Sequence, residues 1–534
     1  MTSPSELTLD RLALGGDAVG RRPTPGAPTP EVVFVPFGAP GDRVVVGREE
    51  KQKTFSRAWI SQLVTPSEDR TEPRCPIFYK PGQTPSSACG GCDWQHLAYE
   101  KQTAAKRKLL VESFQRLARI AHPPVEDTVG VTGAEGPWRY RNKVQIPFAL
   151  GPDGKITGGF YAPGSHTVVP FDDCLVQSEL SVRLFKKVRD YFRHHRVSVY
   201  NPSSGEGWLR HLLVRTTATG EALLALVTQS DPVPRDLVDI LRDPRLGLTS
   251  LYQNINTRPG NAVLSGRWNH LFGKPYLEEA LLGLRLRLSP GAFFQVHHAM
   301  AERLYTLAVE MAAPTAEDVV WELYAGIGAM GLLMARKAKT VVAVEENPHA
   351  VRDGVESARW NGLANIHFRI GPCEQVAARL RENPAAVILD PPRAGCDTRV
   401  LKAVMARRPR RIVYVSCDPA TLARDARYLS TGGYLLKRSV PVDLFPQTSH
   451  IESVSLFETS LPPLPVKAAP EAEERPRFEA APAKKKFGGG KYDGKKFGRK
   501  KFGNKKFGPT RPGFDAPDGG AAPRKKFFKK RFGK

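Results

Sequence analysis

The chain has 534 residues, is 41% hydrophobic and carries a formal net charge of +25, which is enough chain for three or four separate cores. No run of 18 apolar residues occurs and the opening MTSPSELTLD lacks a basic-then-apolar leader pattern, so a soluble, unexported, cytoplasmic chain that uses no membrane is expected. Seven cysteines, an odd number unevenly spread, argue against a disulfide framework and for metal-binding or catalytic thiols.

Residues 1–65 alternate short β-type runs, Val32-Val33-Phe34-Val35 and Arg43-Val44-Val45-Val46, with Gly and Pro turns. The pattern predicts a small β-barrel of the oligonucleotide-binding kind, or a β-module that serves only packing. Residues 66–125 hold Cys75, Cys89 and Cys92, then a stretch from Tyr99 to Ala121 rich in Lys, Arg and Leu that reads as helix. With Cys174 these make four thiols suited to a [4Fe–4S] cluster or a four-thiolate zinc ion, the plainer alternative being unligated buried thiols. Residues 126–290 read as mixed α and β. They contain Trp138-Arg139-Tyr140-Arg141-Asn142-Lys143, a cluster able to stack on and pair with RNA, or to line a solvated strand edge.

From 291 to 460 strands and helices alternate: strands at 319–324, 340–344, 385–389 and 411–415, helices at 329–336 and 349–360. This predicts an α/β fold with an open, mostly parallel sheet. Ligands of such sheets sit at the carboxyl ends of the strands, where Tyr324, Glu345, Asp390 and Cys417 fall. Gly326-Ile327-Gly328-Ala329-Met330-Gly331 follows a strand and opens a helix, so its backbone N–H groups can meet a nucleotide cofactor. Glu345, 19 residues after Gly326, can accept both ribose hydroxyls of either NAD or S-adenosylmethionine. Asp390-Pro391-Pro392-Arg393 is similar to the target-binding loop of methyltransferases that act on nitrogen, with Arg393 in place of an aromatic. That arginine suits a phosphate, a nucleobase carbonyl or a structural salt bridge. Cys373 and Cys396 read as bystanders, either of which could still pack near the cofactor.

Two segments near the end of this region, Val415-Ser416-Cys417-Asp418-Pro419 and Ser449-His450-Ile451-Glu452-Ser453, pair a thiol with a carboxylate. A pyrimidine C5 is a poor nucleophile until a thiolate adds at C6. After methyl transfer a base must remove the C5 proton before the thiol can leave. Cys417 and Glu452 suit those two tasks; a buried structural cysteine and a surface glutamate are the plainer reading. A free thiol of pKa about 8.5 is a few per cent ionised at pH 7, so forming the thiolate costs at most about 2 kcal/mol and requires no dedicated triad.

Residues 461–534 turn Pro/Ala/Glu-rich, then repeat Lys-Phe-Gly at 486–488, 496–498, 501–503 and 506–508. From 481 onward 19 Lys and Arg face three Asp, so +16 of the charge lies there and +9 in the preceding 480 residues. Such a segment is expected to stay disordered and to hold RNA through phosphate contacts and base stacking, or to act only as a solubilising appendage.

Seven segments in chain order carry a resemblance to a known family: Cys-Gly-Gly-Cys-Asp-Trp-Gln-His (89–96), Tyr-Arg-Asn-Lys (140–143), Phe-Phe-Gln-Val (293–296), Leu-Tyr-Ala-Gly-Ile-Gly (323–328), Asp-Pro-Pro-Arg (390–393), Val-Ser-Cys-Asp-Pro (415–419) and Phe-Pro-Gln-Thr-Ser-His-Ile-Glu-Ser-Val (445–454). Over roughly residues 6–460 the chain resembles the bacterial RNA uracil-5-methyltransferases, specifically the large-subunit rRNA branch with a TRAM domain and an iron-sulfur cluster. The resemblance implies a Rossmann-like class I methyltransferase domain (291–460), an OB-like TRAM barrel (1–65) that grips RNA, an iron-sulfur region (66–125) and a central RNA-binding α+β domain (126–290). It implies that Cys417 is the nucleophile and Glu452 the C5 base, and that Gln295, Tyr324, Gly326, Glu345 and Asp390 line the S-adenosylmethionine pocket. It further implies a [4Fe–4S] cluster on Cys75, Cys89, Cys92 and Cys174 that shapes the RNA-binding surface. The implied substrate is one uridine of 23S rRNA, with the T-loop uridine of tRNA as the alternative, and a monomer is the expected state. Departures from the family pattern are the long Pro76–Ala88 gap between the first two cysteines, Ala325 where many relatives carry a cysteine, and the Lys-Phe-Gly tail. Two readings from other classes are an NAD-linked oxidoreductase and a non-catalytic RNA-binding or ribosome-assembly protein.

Overall fold

The structure is a computed structural model that describes residues 6–23, 29–133, 136–260 and 262–462; the basic tail lies outside the described residues. Strands β1 (Glu6–Leu12), β2 (Ala18–Arg22), β3 (Glu31–Val35), β4 (Arg43–Lys51) and β5 (Phe55–Thr65) close into a barrel in the order β1-β2-β3-β5-β4. The period-two pattern drives this: β1 buries Leu7, Leu9 and Leu12 and turns Glu6, Thr8 and Asp10 to solvent. The barrel's apolar interior also takes in Trp94, Leu97 and Ile451, so it is packed against the rest of the chain.

Helix α1 (Tyr99–Ser113) widens into a π turn over Phe114–Ala118 and stops at Ala118, before Arg119 takes φ 62°, three residues short of the expected end. The central region holds β6 (Lys143–Leu150), β7 (Ile156–Tyr161), β8 (Val168–Pro170), α2 (Glu179–His194), β9 (Leu209–Thr216), β10 (Ala222–Thr228), α3 (Arg235–Leu241), β11 (Ser250–Ile255) and β12 (Trp268–Gly273). Its strands form one sheet, β12-β11-β10-β9-β6-β7-β8. Helix α2 covers it because Val182, Phe185, Val188 and Phe192 recur at helical spacing on one face.

A hairpin, β13 (Leu277–Leu281) and β14 (Leu284–Leu288), leads into α4 (His298–Ala312) and the second large sheet. Its further elements are β15 (Val319–Leu323), α5 (Ala329–Ala335), β16 (Thr340–Glu345), α6 (Pro348–Trp360), β17 (Ile366–Ile370), α7 (Cys373–Val376), β18 (Ala386–Leu389), α8 (Thr398–Arg407), β19 (Arg411–Ser416), α9 (Pro419–Thr431), β20 (Tyr434–Val442) and β21 (Glu452–Thr459). The strand order is β17-β16-β15-β18-β19-β21-β20. The first five run parallel and β21 runs antiparallel to both neighbours, so the sheet is the expected α/β type with an antiparallel end. The order turns back at β15, and the crevice for a ligand opens beyond the carboxyl ends of β15, β16 and β18. The β13–β14 hairpin is tied to this sheet's helix α6: Ser289 N and Oγ each donate to the Asp353 carboxylate at 2.7 Å.

Candidate active site

The cofactor-type loop begins where β15 ends. Tyr324 has φ 63° and donates its N–H to Cys373 Sγ at 3.1 Å, so Cys373 supports the loop rather than standing by. Gly326 and Gly328 also take positive φ, and a Cβ on Gly328 would lie 2.7 Å from the Phe368 ring; only glycine allows this turn. Glu345 accepts the N–H groups of Gly326 and Asn347, each at 2.8 Å. Beneath the loop is Glu322, a residue with no motif to announce it. It is 1% exposed, accepts Gly331 N–H at 3.0 Å through Oε2 and leaves Oε1 without a hydrogen bond among the described residues. Burial, with smaller contributions from Asp390 and Glu345, pushes its carboxyl up to about 8. Asp390, at the end of β18, is pushed to about 7 by burial alone. Three carboxyl groups around one glycine loop suit a cationic ligand such as a sulfonium with an α-ammonium group, and oppose a pyrophosphate. Gln295 lies on the segment entering α4, its carbonyl held by Asn142 Nδ2 at 3.1 Å and its side chain buried. Nothing among the described hydrogen bonds occupies its carboxamide.

Cys417 sits in the turn between β19 and α9. Asp418 caps α9 by accepting Thr421 N–H at 2.8 Å, with Pro419 at the first helical position. The β19–β21 register pairs Ser416 with Ser453, so the next step brings Cys417 and Glu452 opposite one another. Glu452 is 4% exposed, and its carboxyl makes no hydrogen bond among the described residues. Burial and then the Asp390 charge push it well above the usual carboxylate range, against Arg393. Burial followed by Glu452 pushes the Cys417 thiol up to about 11, with Arg393 the opposing cation. The expectation that an ordinary thiol suffices is therefore corrected: in this open site ionisation is harder than for a free cysteine. Arg393 donates to His450 Nδ1 at 3.2 Å, and burial and Arg393 hold that imidazole down to about 4. Arg393 forms no ion pair among the described residues, so it remains available to an anionic or carbonyl ligand.

Cys75, Cys89, Cys92 and Cys174 are free thiols that line one cavity of about 410 Å³, walled by Ile77, Phe78, Phe160 and Phe171. Backbone N–H groups point at the sulfurs: Ile77 and Phe78 at Cys75, Gly91 at Cys89, Val176 and Gln177 at Cys174. Among the described residues no group of three or more His, Cys, Asp or Glu is arranged to hold a metal ion. The Tyr140 end of the basic-aromatic cluster is internal: its ring stacks on His297 at 4.7 Å and its hydroxyl donates to Pro446 O at 3.0 Å. No helix among the described residues is long and apolar enough to cross a membrane.

Comparison with known proteins bears on the same site. A family profile described as tRNA (Uracil-5-)-methyltransferase matches residues 272–460. A Listeria monocytogenes protein named as an uncharacterized RNA methyltransferase is 36% identical over 462 residues, covering 85% of this chain and 97% of its own. One from Caldanaerobacter subterraneus is 38% identical over 461 residues, with the same coverage. The crystal structure of Pyrococcus abyssi tRNA (uracil-54, C5)-methyltransferase in complex with S-adenosyl-L-homocysteine superimposes with a TM-score of 0.65 at 26% identity, over 84% of this chain and 99% of that one. The oxidoreductase reading of the glycine loop falls with these matches, and the carboxyl-rich pocket agrees. The chain belongs to the RNA uracil-5-methyltransferase family, enzymes that use S-adenosylmethionine to methylate C5 of uracil in RNA.

Proposed function

We propose that the chain methylates C5 of one uridine in 23S rRNA through a covalent bond between Cys417 Sγ and C6 of the base. The observation that carries this reading is the facing pair at the β19 and β21 ends: a thiol opposite a buried carboxyl that makes no hydrogen bond among the described residues. The Cys417 thiolate adds to C6, and the electron pair moves toward O4 and C5. Bound S-adenosylmethionine would supply an electrophilic methyl group to C5, the sulfonium S–CH3 bond breaking as C5–CH3 forms and the thioether S-adenosylhomocysteine leaving. Glu452 then removes the C5 proton, the C5=C6 bond re-forms and the thiolate leaves. Burial, which raises the Glu452 carboxyl well above the usual carboxylate range, also makes it a strong base once ionised. Arg393 is the group that favours both anions.

We assign Gln295, Tyr324, Gly326, Glu345 and Asp390 to the cofactor pocket, and add Glu322. Cys75, Cys89, Cys92 and Cys174 would hold a [4Fe–4S] cluster: what supports this is four thiols around one cavity with N–H groups aimed at three of the sulfurs. There the cluster would crosslink loops of the 66–125 and 126–290 regions. The 1–65 barrel would be the TRAM module holding RNA. A T-loop uridine of tRNA is the second reading, favoured by the description of the matching profile and by the Pyrococcus enzyme's printed substrate; the cysteine set and the barrel favour rRNA. Tritium release from RNA labelled at uridine C5, with unmodified 23S rRNA and tRNA in parallel, decides between them. Release from rRNA alone is expected; release from tRNA alone keeps the mechanism and overturns the substrate, and release from neither overturns both.

A further inference from the structure

Residues 443–451 join β20 to β21 and deliver the chain to Glu452, and this loop is bonded mainly to one distant segment. Asp93, the residue after Cys92, accepts two donors from Ser449: its N–H at 2.9 Å to Oδ1 and its hydroxyl to Oδ2. The N–H groups of Asp93 and Trp94 both donate to Gln447 O, at 3.2 and 3.0 Å. From α1, Gln102 Oε1 accepts Gln447 N–H at 2.9 Å and its Nε2 donates to Gln447 Oε1 at 3.1 Å. Gln447 holds φ 69°, a conformation that a residue with a side chain keeps when its surroundings dictate it. The barrel closes over the same point: a Cβ on Gly16 would lie 2.5 Å from Asp93 Oδ2 and 2.8 Å from Ser449 Cβ. Barrel, cysteine segment and catalytic sheet thus meet at the Asp93–Ser449 pair.

We propose that Asp93 is a positioning residue for the reaction: by holding Ser449 and Gln447 it sets where Glu452 stands, and ties that placement to the Cys89–Cys92 turn. This rests on the reading of Glu452 as the closing base. In that step the C5–H bond breaks and its proton passes to the Glu452 carboxylate. Its electron pair forms C5=C6, and the C6–S bond breaks to return the thiolate to Cys417. Cys417 is held separately, by the turn bonds of Ser416, Asp418 and Thr421. Loosening the 443–451 loop therefore leaves addition and methyl transfer and slows elimination, so methylated enzyme–RNA adduct accumulates.

The test follows methyl-labelled RNA bound to protein on denaturing gels in Asp93→Ala, Asp93→Asn, Ser449→Ala and Glu452→Gln, beside hydrogen exchange of peptides spanning 443–452. Asp93→Ala and Ser449→Ala are expected to lower kcat by about ten- to hundredfold with KM for RNA little changed, to accumulate adduct, and to exchange faster in that loop. Asp93→Asn, which keeps one acceptor, recovers part of the rate. Adduct and turnover falling in parallel, or both staying at the wild-type level, overturns the proposal; Ser449→Ala carries this test if Asp93→Ala does not fold. A Glu452→Gln variant that accumulates no adduct overturns instead the assignment of the base, and the proposal with it.

Discussion

Cys417 and Glu452 are both pushed toward their neutral forms, Cys417 by burial and then the Glu452 charge, Glu452 by burial and then the Asp390 charge. The thiolate is the reactive form and burial pushes its thiol up to about 11, so the rate of adduct formation in a single turnover is expected to rise with pH, by about tenfold per unit from pH 7 to 9. A flat profile over that range would mean that substrate binding itself deprotonates the thiol. Arg393 is the cation that opposes both upward shifts, and Arg393→Ala is expected to slow adduct formation by about tenfold or more and carry the pH limb higher, measured by the same single-turnover assay. At this scale the alternating pattern led to strand ends: Tyr324, Glu345, Asp390 and Cys417 each stand at or just past the carboxyl end of a strand, whereas Glu452, at the start of β21, came from its own segment and not from that pattern. Glu322 was not legible, since one carboxylate in Val-Val-Trp-Glu-Leu has no motif; the only signal was a charge inside an otherwise apolar strand. The tuning of Cys417 was misjudged because burial and neighbouring carboxyls are properties of the folded site.

Among the elements, α1 and the β20–β21 loop are joined by Lys106 Nζ to Asp443 Oδ1 at 2.6 Å, with side chains 1% and 0% exposed. Tyr99 donates to the other oxygen at 2.9 Å and Lys106 also donates to Phe445 O at 3.0 Å. Removing the cation strands a buried carboxylate, so Lys106→Ala is expected to cost about 3–5 kcal/mol in denaturant unfolding, whereas replacing both partners by apolar side chains costs far less. Equal losses in the single and double variants would contradict this. Strand and helix positions followed from periodicity, with ends shifting by a few residues. β15 stops at Leu323 because Tyr324 turns to positive φ, and the α1 stretch stops at Ala118 because Arg119 does the same. The pairing of β21 between β19 and β20 was not legible, because period-two patterning fixes which face is buried and not which neighbour is chosen.

For the molecule as a whole, the barrel interior contains Ile451, the neighbour of Glu452, and Trp94, whose indole N–H donates to Gly16 O at 3.0 Å. A module that reads from sequence as a separate RNA grip thus buttresses the active-site loop. Contacts such as Asp93–Ser449 and Lys106–Asp443 join residues more than 300 positions apart, which is why composition and spacing gave the parts without their junction. The Lys-Phe-Gly tail is a different matter: a chain ending at residue 462 is expected to keep its single-turnover rate at saturating RNA, to bind RNA more weakly and to show a shallower dependence of affinity on salt. An unchanged salt slope would remove the tail from RNA binding. The central claim, that Cys417 bonds to C6 and Glu452 frees C5, is tested most directly with RNA carrying 5-fluorouridine at the target position. Fluorine at C5 cannot leave as a proton does, so a methylated RNA–protein adduct is expected to persist and to map by mass spectrometry to the peptide holding Cys417. An adduct on another residue, or methylation with no adduct at all, would contradict the claim.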